Sequence, residues 1–315
     1  MKAAIINKFG DADVFEITEI DKPVPNDDEV LIKIMAAGIN PVDTKVRAGK
    51  SGMSKNLQLP AILGWDISGA IESAGNNVKD FKPGDAVFGC IGFPGLGKAY
   101  AEYTAIDPKY LAKKPANISF DEAGAVPLAG LTAYQAINEH LKISAGQKIL
   151  IQAAAGGVGH LAVQFAKLNG AFVIGTASEK NEKFLKNLGV DQFIDYKKEK
   201  FEDIVSDLDA VLDAMGGEVL YRSIRCVKPG GILVCLPSST KDDPKAIELA
   251  EQRGVKLLWP MMHTDGGEMR IIAALLEQKK LKVTVERIFT LDQVSWAHKA
   301  VETHGTKGKI VLRIG

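Results

Sequence analysis

The residues best spaced for chemistry are Gln152-Ala153-Ala154-Ala155-Gly156-Gly157-Val158-Gly159. The run before them, Lys148-Ile149-Leu150-Ile151, is strand-like and too short for a helix. After them Val158, Leu161, Ala162, Phe165, Ala166 and Leu168 recur at helical spacing, and Gly170 closes that helix. Ala171-Phe172-Val173-Ile174 then reads as a second buried strand. Strand, glycine turn, helix, strand is the setting in which a glycine triplet binds a dinucleotide. The spacing is Ala154-x-Gly156-x-x-Gly159, with alanine in place of the usual first glycine. Gly156 lets backbone N–H groups approach a pyrophosphate, and Gly159 lets the helix close on its strand. The helix start adds donors and partial positive charge. Ala155, Gly156, Gly157 and Val158 are therefore candidate cofactor contacts. A purely structural tight turn is the alternative.

The elements around this turn change character along the chain. Residues 2–6, 15–20 and 29–36 are short strand-like runs, separated by Gly10 and the turn Pro23-Val24-Pro25-Asn26-Asp27. Strand character returns at 64–71, at 86–89 after Phe81-Lys82-Pro83-Gly84-Asp85, and at 101–106, with 92–97 expected as a mobile loop. From Ser119 the pattern becomes helical, and from Lys148 strands and helices alternate, which builds a parallel sheet. The expected organisation is an α/β chain: 1–120 as a β-rich domain, 121–260 as a doubly wound cofactor domain, and 261–315 as a return segment completing the first.

Composition excludes several classes. Lys+Arg and Asp+Glu are both 39, so there is no basic footprint for nucleic acid. The three cysteines, Cys90, Cys226 and Cys235, form no Cys-x-x-Cys pair, which argues against a disulfide framework and a structural zinc lobe. No signal-peptide core or membrane-length apolar run occurs, so a cytoplasmic protein without a membrane partner is expected. His140, His160, His263, His298 and His304 show no ligand spacing, and His160 is expected on the domain surface. Tyr196-x-x-x-Lys200 imitates the pair of short-chain reductases in the wrong context.

The order of motifs resembles the medium-chain dehydrogenase/reductase superfamily across essentially the whole chain. The resemblance rests on Gly38-Ile39-Asn40-Pro41-Val42-Asp43-Thr44-Lys45, Gly64-Trp65-Asp66-Ile67-Ser68-Gly69, Lys82-Pro83-Gly84-Asp85-Ala86-Val87, Leu131-Thr132-Ala133-Tyr134, the glycine turn, and Gly308-Lys309-Ile310-Val311-Leu312. It implies a GroES-like β-rich catalytic domain beside a Rossmann cofactor domain, and a homodimer joined through cofactor-domain edge strands. Zinc alcohol dehydrogenases of that superfamily carry a cysteine where this chain has Asn40, and a histidine–glutamate pair where it has Trp65-Asp66. Asparagine and tryptophan do not ligate zinc at neutral pH. The chain is thus most similar to the zinc-free quinone/enone reductases, with no metal expected.

That branch implies hydride transfer from a nicotinamide to a quinone or an α,β-unsaturated carbonyl. The acceptor is electrophilic already, so the protein chiefly positions the reactants and stabilises the oxyanion. By resemblance, Lys45 serves the oxyanion and the cofactor, and Asn40 and Asp43 line the nicotinamide pocket. The alternatives are an exposed lysine after a loop and turn chemistry beside Pro41. Thr132 lies near the nicotinamide by the same match, and Trp65 shapes the acceptor pocket or is plain core.

At the end of the second strand, Thr176-Ala177-Ser178 offers no acid for a ribose 2′-hydroxyl. Ser178 with Lys183 suits a 2′-phosphate, Tyr196 matches the family's adenosine-phosphate tyrosine, and Glu179 argues the other way. NADPH is expected over NADH, with Thr176 among its contacts and Leu236 and Ser238 against the nicotinamide half. A 2-enoyl-thioester reductase is the alternative enzyme, though no tyrosine stands close to Lys45 in sequence. A crystallin-like NADPH-binding protein is the non-catalytic alternative.

Overall fold

Every residue except His304 is described by the computed structural model. The chain forms two compact units, Met1–Leu131 with His263–Gly315, and Thr132–Met262. The sequence expectation set the junctions at 120/121 and 260/261. Helix Phe120–Ala125, placed there in the cofactor domain, packs on strands Val30–Ile39 and Asp66–Ala74 of the first unit. Its capping box of Ser119 and Glu122 starts it, and Ala123, Gly124 and Ala125 are the residues it buries.

The first unit is built on the ten-residue strand Val30–Ile39, whose burial is almost continuous. It sits at the centre of a seven-stranded sheet. One side pairs antiparallel with Asp66–Ala74. The other side is shared: Val30 to Lys33 pair with strand Tyr103–Ile106, and Ala36 to Ile39 with Lys309–Arg313. The register shifts between Ile34 and Ala36. Gly69 is required opposite, because a Cβ there would lie 2.2 Å from the Lys33 carbonyl oxygen. Strand Lys309–Arg313, from the far end of the chain, delivers Lys309 beside Asn40. A smaller sheet of Phe15–Glu19, Lys2–Ile6 and Ala61–Ile62 belongs to the same unit.

The second unit is an open parallel sheet of six strands. Their order is Gln192–Asp195, Phe172–Ala177, Lys148–Ile151, Leu208–Asp213, Val227–Cys235 and Lys256–Leu258. Strand Lys148–Ile151 is paired on both edges, so the chain reverses direction across the sheet at this strand. Ligands of such sheets bind outside the carboxyl ends at that switch point, and the glycine turn leaves from there. Leu150, Ile174, Val211, Leu220, Ile224 and Leu233 form the dry interior. Among the described residues, no helix is long and apolar enough to cross a membrane.

Gly159 is the turn position with no steric latitude. A Cβ there would lie 2.4 Å from the Ala153 oxygen and 2.8 Å from Ala154 Cα, both backbone atoms. At Gly156 the nearest atom would be 3.2 Å away. Gly159→Ala is expected to cost about 1–3 kcal/mol in denaturant unfolding, by overpacking. Gly156→Ala should cost less; equal losses would show that helix closure is not what Gly159 permits.

Candidate functional site

In the first unit, the resemblance-bearing residues meet in a buried polar cluster. Asn40 ends the central strand and caps helix Pro41–Arg47, with proline at the first turn. Asp43 reaches back to accept the Asn40 backbone N–H at 2.6 Å. This half of a capping box frees the Asn40 side chain for other partners. Its amide nitrogen donates to Asp66 Oδ2 at 2.8 Å, and its amide oxygen accepts from Lys309 Nζ. Lys309 also donates to the Ile39 carbonyl at 3.1 Å and lies 3.4 Å from Asp66 Oδ2. The other oxygen of Asp66 accepts the Leu128 N–H at 2.6 Å. Lys309 is only 3 % exposed and Asp66 fully buried, so each charge depends on its partners.

Burial governs the acids here. It pushes the Asp66 carboxyl above its usual range, and Lys309, Asn40 and Leu128 pull it partly back. The Asp43 carboxyl is raised to about 7, again mainly by burial, against the pull of the Asn40 N–H. Tyr100, also fully buried, interacts with Asp43, and desolvation raises its phenol well above the ordinary value. Asp43 Oδ1 and the Tyr100 hydroxyl make no hydrogen bond among the described residues. Below neutrality the Asp43 carboxyl is mainly protonated, so it buries no full negative charge there.

Lys45 stands on helix Pro41–Arg47, so the alternative of a lysine after a loop does not describe its place in the fold. Its ammonium is exposed and has no ion pair or side-chain hydrogen bond among the described residues. Two residues on, Arg47 is buried and fastens the helix to its surroundings. It contacts Glu302 at 2.5 Å, the Gly10 carbonyl at 3.2 Å and His298 Nδ1 at 3.4 Å. Burial, and then the Arg47 charge, hold the His298 imidazole well below its ordinary pKa.

Trp65 is buried and donates its indole N–H to the Gly95 carbonyl at 2.6 Å. Its ring meets Phe93 edge-on at 5.4 Å. The 92–97 loop, expected to be mobile, is tethered by these contacts and by the close approach of Gly97. A Cβ at Gly97 would lie 2.3 Å from the Gly64 carbonyl oxygen. Trp65 forms one wall of a cavity of about 390 Å³, with Val46, Met53, Asn56, Leu57 and Leu96 among the other walls.

In the second unit the glycine turn is held from behind. Thr176 is buried, donates to Gln152 Oε1 at 2.6 Å and accepts the Ala153 N–H at 3.2 Å. Gln152 in turn donates to Ser223 Oγ at 3.2 Å. Thr176 thus shapes the turn through a hydroxyl already engaged on both sides. The backbone N–H groups of Ala155, Gly157 and Val158 donate to no acceptor among the described residues. They sit at the start of the ten-residue helix Gly159–Leu168, where an anion's oxygens are stabilised. The turn therefore fits a dinucleotide pyrophosphate. His160 was expected on the surface and is instead fully buried, its Nδ1 2.9 Å from the Gly156 carbonyl oxygen one helical turn back. His304 lies outside the described residues.

Ser178 and Tyr196 follow the paired strand ends Ala177 and Asp195, which brings them side by side at the carboxyl edge. Ser178 is half-buried, Lys183 exposed, and Tyr196 58 % exposed. Glu179 is ion-paired to Lys198 at 2.8 Å, so its charge is answered by a surface cation. Leu236 is half-buried at the end of strand Val227–Cys235, and Ser238 is exposed in the turn that follows. Thr132 is half-buried in helix Pro127–Gln135. Sequence reasoning missed Gln152, Tyr100, Arg47 and the role of Lys309. A lysine inside the apolar run Lys309-Ile310-Val311-Leu312 was the available signal for the last.

These two arrangements, a parallel sheet with an anion-ready turn and a β-rich unit with a buried polar cluster, define an oxidoreductase class that comparison with known proteins identifies. Residues 26–116 match the alcohol dehydrogenase GroES-like domain, and residues 188–312 the zinc-binding dehydrogenase family. The chain is 37 % identical to 2-methylene-furan-3-one reductase of Solanum lycopersicum, covering 99 % of this chain and 79 % of that protein. It is 34 % identical to the chloroplastic NADPH-dependent alkenal/one oxidoreductase of Arabidopsis thaliana, with the same coverage of both chains. A solved structure, the quinone oxidoreductase from Coxiella burnetii, superposes with a TM-score of 0.94 at 37 % identity, covering 100 % of this chain and 99 % of that one. The chain belongs to the medium-chain dehydrogenase/reductase superfamily, in its quinone oxidoreductase-like branch. Asn40, Trp65 and Asp66, at the motif positions where the zinc enzymes carry ligands, do not fit the zinc that one family description implies. Asn40 and Trp65 offer no zinc donor, and the oxygens of Asp66 are taken by Asn40, Lys309 and the Leu128 N–H.

Removing the ammonium from the cluster strands Asp66. Lys309→Met is expected to lower unfolding free energy by about 3–5 kcal/mol in urea titrations. A loss below about 1 kcal/mol would mean that Asp66 is not charged beside it.

The folded Asp43 pKa, about 7, lies above the ordinary aspartate value of 3.8. Its contribution to stability is therefore full below about pH 4 and lost as pH rises through about 7. Comparing unfolding curves of the wild type and Asp43→Asn across that window should show the wild type losing up to about 1.4 kcal/mol per pH unit relative to the variant. Parallel pH profiles would show that Asp43 is ionised throughout.

Proposed function

We propose that this chain is an NADPH-dependent reductase that works without zinc and transfers hydride to a quinone or an α,β-unsaturated carbonyl. The observation that carries the reading is the buried cluster in which Lys309 binds Asn40 and Asp66, two residues that stand where the zinc enzymes it resembles carry ligands. It leaves Lys45 as the uncommitted cation on the helix that Asn40 caps. Bound NADPH supplies the hydride. The uncommitted N–H groups of Ala155, Gly157 and Val158 hold its pyrophosphate, and Ser178, Lys183 and Tyr196 receive the 2′-phosphate. The pairing of Glu179 with Lys198 removes the acid that would favour NADH. The Lys45 ammonium faces the oxygen on which negative charge develops, and solvent protonates the resulting anion. Asn40 and Asp43 place that helix, and Trp65 bounds the acceptor's side of the site.

The same reading makes the protein a cytoplasmic homodimer, its open sheet edge at Lys256–Leu258 supplying a strand for pairing. Three of the similar proteins are named as a 2-methylene-furan-3-one reductase, an alkenal/one oxidoreductase and a quinone oxidoreductase, which supports the acceptor class.

An acceptor screen with NADPH and NADH in parallel tests the proposal. Turnover should persist with a chelator present, and Lys45→Ala should lower kcat about a hundredfold or more with both a test enone and a test quinone. Loss of activity on chelation, or full activity in Lys45→Ala, would overturn the assignment.

A further inference from the structure

His160 is fully buried in the first turn of helix Gly159–Leu168, among residues that are mostly apolar. An imidazole is costly to bury unless its nitrogens are satisfied, and a leucine would serve packing alone. Its Nδ1 lies 2.9 Å from the Gly156 carbonyl oxygen, which also accepts the His160 backbone N–H at 3.0 Å. A carbonyl oxygen only accepts, so Nδ1 carries the proton and donates it back along the helix. The Phe184 ring lies 6.4 Å from the imidazole, centroid to centroid, at a tilt of 34°.

That carbonyl belongs to the peptide joining Gly156 to Gly157, which has no Cβ on either side. Such a peptide has little steric preference of its own, so its orientation depends on what it is bonded to. A trans peptide is planar, and its C=O and N–H point in opposite directions. Two donors from one residue, one of them on a buried ring, hold the Gly156 C=O toward the body of the helix. They thereby hold the Gly157 N–H out from the helix start, where it has no acceptor among the described residues.

We infer that His160 is a positioning residue for the cofactor: it fixes the Gly156–Gly157 peptide so that the Gly157 N–H meets an oxygen of the pyrophosphate. The inference rests on the NADPH reading above. The imidazole is fully buried and acts only through the peptide it holds. Without it the backbone bond to Gly156 remains, but the peptide between the glycines can rotate and must be ordered when the ligand arrives. The loss is that of about one neutral hydrogen bond, about three- to tenfold in Kd.

The test is direct binding to the full chain. NADPH is followed by its fluorescence, and adenosine 2′-phosphate, which carries the 2′-phosphate but no pyrophosphate, is titrated as its competitor. His160→Leu should weaken NADPH about three- to tenfold and leave adenosine 2′-phosphate within about twofold. His160→Met should do the same, so that misfolding of one variant leaves the other to decide. His160→Asn puts an amide nitrogen near the place of Nδ1 and should return NADPH to within about twofold of the wild type. In NMR spectra of wild type labelled at the histidine nitrogens, the ring signal that His160→Asn removes should show a protonated Nδ1 with and without NADPH. Unchanged NADPH binding in the leucine and methionine variants, equal weakening of both ligands, no rescue by asparagine, or an unprotonated Nδ1 overturns the role of His160 alone. A wild type that binds neither ligand overturns the NADPH reading itself.

Discussion

A lysine ammonium buried inside a β-rich unit must be answered by its neighbours, and much of the candidate site follows from how this is done. Lys309 has the Ile39 carbonyl, the Asn40 amide oxygen and the Asp66 carboxylate around it. Desolvating these charges costs several kcal/mol per ion unless their hydrogen bonds are completed. The answer therefore fixes three elements at once: the end of strand Val30–Ile39, the start of helix Pro41–Arg47 and the start of strand Asp66–Ala74. Because Asn40 spends its side chain on this cluster, Asp43 caps the helix backbone instead. The helix then turns Lys45 to solvent and Arg47 inward.

The parallel-sheet unit solves the opposite problem. There the important groups are donors left without partners, at Ala155, Gly157 and Val158. A rigid turn keeps such N–H groups aimed at one point, so an anion there meets donors already oriented. Thr176, Gln152 and Ser223 hold it from behind, and Gly159 lets the helix close down on it. One unit thus hides charge around Lys309, while the other leaves backbone polarity free and hides its supports. Both are forms of preorganisation, in which the cost of orienting dipoles is met on folding and not during the reaction.

The amide, indole and ion pair at Asn40, Trp65 and Asp66 also set what the β-rich unit can do. A metal centre must keep a coordination position open, whereas this cluster has its polar atoms largely committed. Trp65, at one of those positions, is turned toward the apolar cavity and fixed by Gly95 and Phe93. Polarity is thereby confined to one side of the short helix and apolar volume to the other.

The sequence by itself determined the alternation of strands and helices from Lys148 onward, the glycine turn, and the branch of the superfamily. These signals are local: hydrophobic period, glycine spacing and residue type at a motif position are set within a few neighbours. It also gave the residues Asn40, Asp43 and Lys45, but not their division of labour. Only the tertiary structure decided that Lys309 reaches across 269 positions to Asn40, that Tyr100 lies against Asp43, that His160 is buried, and that Thr176 supports the turn from beneath. The reason is physical: whether a polar side chain is free or engaged depends on which strands become neighbours, and strand pairing between distant segments leaves no periodic trace in either one.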